Sequence, residues 1–395
     1  MACVRWTCRS PRRGSGRCCK THRARSPLAL LERIKGWLKG FRQAPEPVAD
    51  VPAPPRTHVV LLDGTMSSLA PGAETNVGLT YRLLMDLPRD GSLRVYYEPG
   101  IQWRGLRRAH EVMAGIGINR QIRRAYVWLA SSYRPGDHVF LLGYSRGAYA
   151  VRSLGGLIDR MGLMKREALA QERVEMLYEL YRSAPGGEEA QAMRAEFCIS
   201  DVPIRFLGVY DTVRALGMRY PLAWRFLPLP HPYHTHTLGA HIQIARQALA
   251  MDETRVAYRP ILWNTTHALP DQDVAQVWFK GSHGDIGGQL NGKTEARPRS
   301  NVALTWMLEE AEAAGLPLPP DWHDRFETDV DAPSVGTFSG FGKLFWERRR
   351  RMIGIDPSET IHPSAQAWAE ARGITLVSDR TDTDRTDTDL TDRAV

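Results

Sequence analysis

The 395-residue sequence has no run of eighteen or more apolar residues, which excludes a membrane-spanning helix. Cysteine is scarce outside the N-terminus. Cys3, Cys8, Cys18 and Cys19 crowd into the first nineteen residues and Cys198 stands alone in the body, which therefore cannot rest on an internal disulfide. Cys18 and Cys19 are adjacent and no C-x-x-C pair occurs, so the spacing reads as an unstructured N-terminus and no metal site is expected there. Acidic residues are nearly missing from the same stretch: residues 1–43 hold nine Arg and three Lys against Glu32 alone. The overall charge of +8 thus belongs to an extension, since the remainder sums to about −3. A nucleic-acid surface would have to lie on that extension, and nucleic acid is not the favoured partner. Gly at 34 and Pro at 26 are ordinary counts, which excludes collagen-like and wholly disordered chains.

Four regions follow from these shifts. Residues 1–55 are a basic, Cys-containing extension. Its apolar stretch is interrupted by Glu32, Arg33 and Lys35, so it is not expected to be a secretory signal. Within it Leu30, Leu31, Ile34, Trp37, Leu38 and Phe41 recur at helical spacing. Between Leu28 and Phe41 they predict a basic amphipathic helix that either packs on the body or makes peripheral membrane contact. A Pro-rich linker follows, Pro45 to Pro55. Residues 56–320 form the body, 321–377 a C-terminal segment packed on or near it, and 378–395 a low-complexity Asp/Thr/Arg tail with nothing apolar to bury.

The body alternates short apolar runs with helical patterns. His58–Leu62, Leu93–Tyr97, His138–Leu142, Ile204–Val209 and Ala275–Phe279 read as buried strands closed by Gly or Asp turns. Asn119–Ser132, Ala148–Met161, Ala240–Ala250 and Val302–Ala314 read as helices. The alternation predicts an α/β fold of the α/β-hydrolase kind, a mostly parallel sheet with helices on both faces and its ligand site at the strands' carboxyl ends. Beyond Leu318 the pattern weakens, and Phe341–Ile355, with its Arg348–Arg351 run, reads as one surface helix.

Gly143-Tyr144-Ser145-Arg146-Gly147 matches the nucleophile-elbow pattern G-x-S-x-G. The pentapeptide alone is a weak signal. Its setting strengthens it: a buried strand precedes it and a helical stretch begins at Ala148, the strand–turn–helix that exposes a serine hydroxyl at a strained turn. A serine nucleophile needs a base, and the base needs a carboxylate to orient it. Asp211 closes the run Phe206–Tyr210, and His283 lies on the glycine-bearing loop after Val277-Trp278-Phe279, which gives the order Ser, Asp, His. Each alone has a structural reading, Asp211 as a helix cap and His283 as a partner for Asp285. The backbone N–H of Arg146 and a donor from the Asp63-Gly64-Thr65 turn are the expected oxyanion hole. Asp63 either braces that turn or meets substrate. His362 is the reserve base, and Asp285 the reserve carboxylate or a support for the loop. His231, His234, His236 and His241 cluster among prolines without nearby acids, which reads as a loop and not a metal site.

From about Val59 to Ala314 the sequence resembles the catalytic-domain family of class-one type VI secretion lipase effectors. The resemblance is carried by Leu61-Leu-Asp-Gly-Thr65, Thr75-Asn-Val77, Tyr96-Tyr-Glu-Pro-Gly100, Gly143-Tyr-Ser-Arg-Gly-Ala148, Phe206-Leu-Gly-Val-Tyr-Asp-Thr-Val213, Ala248-Leu-Ala-Met-Asp-Glu253 and Val277–Gly288. It implies a Ser–Asp–His esterase, a lipase or phospholipase in some members, with Ser145, Asp211 and His283 on the motif positions. The sequence departs from the family pattern at Met66-Ser67, where Trp-Asn is usual, at Gln247, where histidine is common, and at Gln289-Leu290, where Gly-Tyr is usual. Gln289 is expected to restrict the backbone where the family has glycine.

Together these readings predict a serine hydrolase of carboxylic esters that needs no cofactor. An ester or phospholipid is its substrate, and a secretion apparatus is a partner that the resemblance implies. The rival is a non-catalytic binding protein on the same scaffold, kept open by the altered residues 66, 67 and 289. Tyr220–Pro230, rich in Leu and Pro with Trp224 among them, reads either as a packed loop or as an interfacial lid. No transmembrane segment is expected, and the sequence is compatible with cytoplasmic residence or with export without a cleavable signal.

Overall fold

A run such as Thr57–Leu62 is apolar at almost every position, so it cannot lie at a sheet surface with one face wet; it needs cover on both sides. The computed structural model, which describes residues 54–100, 116–213, 237–266, 268–338 and 346–376, shows how that cover is supplied. Thr57–Leu62 is β1, and Val59 to Leu62 are completely buried. Each such side chain contributes roughly 1.5–3 kcal/mol relative to exposure. The other strands of the main sheet are β2 (Leu93–Glu98), β3 (His138–Tyr144), β6 (Ile204–Tyr210), β7 (Ile242–Ala250), β8 (Asp273–Phe279) and β9 (Glu359–Ile361). They pair in the order β2-β1-β3-β6-β7-β8-β9, every neighbour parallel. A separate two-stranded ladder joins β4 (Leu163–Met164) to β5 (Cys198–Ile199) in antiparallel fashion.

Two apolar layers flank the sheet. Val60 and Leu62 of β1 and Val139 and Leu141 of β3 point into a layer with α2 (Ile116–Ser132), α3 (Arg146–Met161), α4 (Gln171–Ser183) and α5 (Glu188–Phe197). Their alternates, Val59, Leu61, Phe140, Leu142 and Tyr144, pack on the opposite face with α1 (Asn76–Met85) and α7 (Arg297–Ala313). In β6 a bulge opposite Val139–Phe140 inserts Arg205, so that Ile204 and Phe206 fall on opposite faces. The fold is therefore α/β with helices on both faces of a parallel sheet. Among the described residues no helix is long and apolar enough to cross a membrane.

Two expectations fail. Ala240–Ala250 is not a helix: Ile242–Ala250 is β7, hydrogen-bonded between β6 and β8. Its alanines favour helix intrinsically, but a buried slot between two strands satisfies its backbone on both edges, and that outweighs a propensity of a few tenths of a kcal/mol per residue. Residues 346–355 form no helix either. They run as an extended strap against residues 254–256, with Arg349 N–H donating to Thr254 O (2.7 Å) and Val256 N–H to Glu347 O (3.1 Å). The strap leads into β9, so the sheet acquires its last strand well past residue 320, and α8 (Pro363–Glu370) follows. The amphipathic stretch 28–41, the N-terminal cysteines, the linker to residue 53, Tyr220–Pro230, His231, His234, His236 and the tail from residue 378 lie outside the described residues.

Candidate active site

The elbow is dictated by close approach. Ser145 joins β3 to α3 with φ 57° and ψ −116°, a strained conformation for a residue with a side chain. A Cβ at Gly143 would stand 2.6 Å from Gly147 O, and one at Gly147 would stand 2.1 Å from Leu62 O. Only glycine fits either place, which is the physical content of the G-x-S-x-G spacing. The Ser145 side chain is thereby held at the carboxyl edge of the sheet with 8% of its surface exposed.

His283 opens the short helix α6 (His283–Gly287) after β8. Its Nε2 lies 2.9 Å from Ser145 Oγ, and its Nδ1 lies 2.5 Å from Asp211 Oδ2. The three side chains come from the ends of β3, β6 and β8 and meet over 138 and 72 residues of separation. The ring is fixed by Tyr144, tilted at 4.9 Å between centroids, and by Tyr258, edge-on at 4.8 Å. Its backbone N–H donates to Glu253 Oε2 (3.3 Å). Glu253 in turn accepts from Arg255 Nε and Nη2 at 2.8 and 2.6 Å. Burial raises the Glu253 carboxyl, but Arg255 more than offsets this and holds it below the usual range.

Asp211 is fully buried, and burial alone would raise its proton affinity. Arg351 and the hydrogen bond from His283 reverse that and hold the carboxyl well below the ordinary range. Arg351 donates Nη1–H to Oδ1 at 2.5 Å and Nη2–H to Oδ2 at 2.9 Å. Sequence reasoning missed this partner, because a run of four arginines reads as a solvated surface. The Arg351 side chain is instead only 5% exposed, and the strap turns it inward.

The Asp63 turn lies against the elbow. Asp63 accepts from Gly64 N–H (2.6 Å), Thr75 Oγ1–H (2.8 Å) and Tyr97 O–H (2.7 Å), so it braces the turn. Burial lifts its carboxyl to about 6, and the Tyr97 and Thr75 hydroxyls oppose the rise without cancelling it. Gly64 N–H is engaged by Asp63, whereas the buried Thr65 hydroxyl has no hydrogen-bond partner. Arg146, which follows Ser145, is largely buried, and desolvation pulls its guanidinium down to about 10.

Asp285 does not meet the imidazole. It accepts from Ser282 N–H (2.7 Å) and O–H (2.8 Å), from Ser334 O–H and from Val335 N–H, tying the His283 loop to residues 334–335. His362 Nδ1 lies 2.8 Å from Ser364 Oγ at the start of α8, and its ring stacks on Phe279 at 4.5 Å. His241 pairs with Asp159 at 2.7 Å. The departures have local explanations. Gln247 is buried between Arg152 and the Ile261 carbonyl. Gln289 donates to Thr65 O at 2.9 Å, bridging the histidine loop to the Asp63 turn. The left-handed backbone falls on Gly288 (φ 78°) and not on Gln289, so the restriction expected at Gln289 meets no left-handed position. Met66 takes φ 64° and is half exposed.

An uncharacterized protein of Saccharomyces cerevisiae is 24% identical over 239 residues, which are 54% of this chain and 33% of the yeast protein. The chain therefore spans about a third of that relative's length. A crystal structure of an uncharacterized Pseudomonas aeruginosa protein aligns over 78% of this chain and 53% of its own at 17% identity, with a TM-score of 0.41. The Tle1 effector bound to the VgrG spike of the type 6 secretion system aligns over 85% of this chain and 83% of its own at 14% identity, also with a TM-score of 0.41. The family described as the catalytic domain of type VI secretion, Tle1-like phospholipase effectors matches residues 56–310, more than half of the sequence, and the chain belongs to that family.

Proposed function

We propose that this chain is a serine hydrolase of carboxylic esters whose substrates are phospholipids. The observation that carries the proposal is the unbroken hydrogen-bonded series from Ser145 Oγ through His283 to Asp211, set on a strained elbow. In it Ser145 Oγ attacks the acyl carbonyl while His283 Nε2 takes the hydroxyl proton, and the tetrahedral oxyanion is held by the N–H of Arg146. The second donor comes from Thr65, because Gly64 N–H already serves Asp63. His283 then returns the proton to the departing alcohol, and Ser145 is left acylated. Water, deprotonated by the same imidazole, releases the acid and restores the serine. Asp211 holds the tautomer with the proton on Nδ1 and stabilises the imidazolium. Family membership supports the lipid ester as substrate and a component of the type VI apparatus as partner.

The test is fatty-acid release from mixed phospholipid vesicles, run beside hydrolysis of a soluble short-chain ester and labelling by a fluorophosphonate. Ser145→Ala should lower release by about four to six orders of magnitude and abolish labelling, with an unchanged melting temperature. Release by a folded Ser145→Ala protein at the wild-type rate would overturn the proposal. Cleavage of the soluble ester alone would keep the chemistry and discard the lipid. Silence on all three would favour a binding protein on this scaffold.

A further inference from the structure

Asp211 receives more than an orienting carboxylate needs. One oxygen faces His283 Nδ1, and both oxygens are gripped by the Arg351 fork at 2.5 and 2.9 Å. The same guanidinium donates to Ala250 O (2.9 Å) at the end of β7 and to Tyr258 O (2.6 Å), the residue whose ring stands edge-on over the imidazole. A single side chain on the 346–355 strap thus links the carboxylate, the neighbouring strand end and the aromatic wall of the base. The strap itself is fixed by backbone bonds to residues 254–256.

Resting on the hydrolase reading, we propose that Arg351 is the positioning residue of the Ser145–His283–Asp211 site. It sets the plane of the Asp211 carboxylate and cancels its charge, so that His283 stands beside a compensated carboxylate and not a bare one. The charge count carries the argument. With Arg351 present the Asp–Arg–His cluster is neutral at rest and goes to +1 when the imidazole takes a proton; without it the cluster would pass from −1 to neutral, which favours the imidazolium far more. The other groups facing His283 do not replace Arg351. Glu253 is already matched by Arg255, Tyr144 and Tyr258 are uncharged phenols, Arg146 follows the serine, and Asp285 on the same helix is turned into Ser282, Ser334 and Val335. A bidentate fork also fixes carboxylate orientation in a way a single donor does not.

The experiment compares full-length wild type, Arg351→Lys, Arg351→Met and Arg351→Gln. It follows the pH dependence of kcat/KM on a soluble ester, the NMR titration of the His283 ring and the melting temperature. Arg351→Met should move the acid limb of the rate profile and the ring titration together to higher pH by on the order of one unit, a loss of about tenfold on the acid side. Arg351→Gln supplies the same comparison if the Met variant does not fold. Arg351→Lys, which keeps the charge and loses the fork, should leave both midpoints near wild type while kcat falls about tenfold. A neutral variant that is folded and titrates as wild type does would overturn the proposal and leave Arg351 as a structural tie. Midpoints that rise in the Lys variant as far as in the Met variant would overturn the charge argument. If wild type neither turns over nor labels, the hydrolase reading fails, while the NMR comparison still decides the role of Arg351.

Discussion

Asp63 and Asp211 occupy matching places at the carboxyl ends of β1 and β6, two strands that flank β3, and both are buried to 1% exposure or less. Their surroundings drive them in opposite directions. Asp63 is met by hydroxyls and one N–H, all neutral, and its carboxyl rises to about 6. Asp211 is met by a guanidinium and an imidazole, and its carboxyl falls below the ordinary range. Desolvation is the largest influence on both, so burial does not separate them; the presence of a cation does. A neutral hydrogen-bond shell suits a carboxylate that braces a turn. A charged shell suits one that stays ionised beside an imidazole.

The strongest way to break this contrast is Asp211→Asn. Loss of the negative charge leaves a buried Arg351 without its counter-ion, which should cost about 3–5 kcal/mol in stability. It also supports the wrong imidazole tautomer, and ester turnover should fall about 10⁴-fold. Turnover within tenfold of wild type would make the two aspartates equivalent. Asp63→Asn should act mainly on the pH dependence of stability. The folded-state value of about 6 lies above the unfolded 3.8, so Asp63 favours folding fully below about pH 4 and loses that contribution as pH rises through 6. Between pH 4 and pH 8 the unfolding free energy of the variant should gain about 2.5 kcal/mol on wild type, read by urea titration at each pH. A constant difference would show that Asp63 does not titrate in that window. Asp211 has the reverse sign: its contribution is present above the unfolded range and lost as pH falls below about 4. Tyr97→Phe is the smallest change. Removing one neutral donor from Asp63 should cost about 1 kcal/mol at pH 7, while turnover stays within about threefold.

The parts of this molecule legible in its sequence are those fixed by local sterics. The elbow could be read because glycine at 143 and 147 is demanded by backbone contacts within a few residues and one neighbouring strand. Strands β1, β3 and β6 could be read because near-continuous apolar runs closed by turn residues have few other uses. The order Ser145, Asp211, His283 pointed to side chains that do lie together, although nothing local required it. Strand β7 was illegible because its alanines, Gln247 and Arg246 owe their conformation to neighbours: Arg246 is held by Glu310 and Asp273, and Gln247 by Arg152 and Ile261. Arg351 was illegible for a related reason. Arg348 and Arg351 belong to one run, yet Trp346 just before it is 89% exposed while the Arg351 side chain is turned inward, a difference set by strap geometry and not by composition.

The strap also has a consequence for the order in which the protein is made. Ser145, Asp211 and His283 are all in place by residue 283, but the counter-ion of Asp211 lies 140 residues downstream of it, and the last sheet strand follows at Glu359–Ile361. Translation therefore delivers these three side chains before the cation that pairs with Asp211. A nascent chain ending before the strap has neither the Arg351 guanidinium nor the sheet's last strand. The set of contacts around Asp211 is therefore complete only once the 346–355 strap has been made.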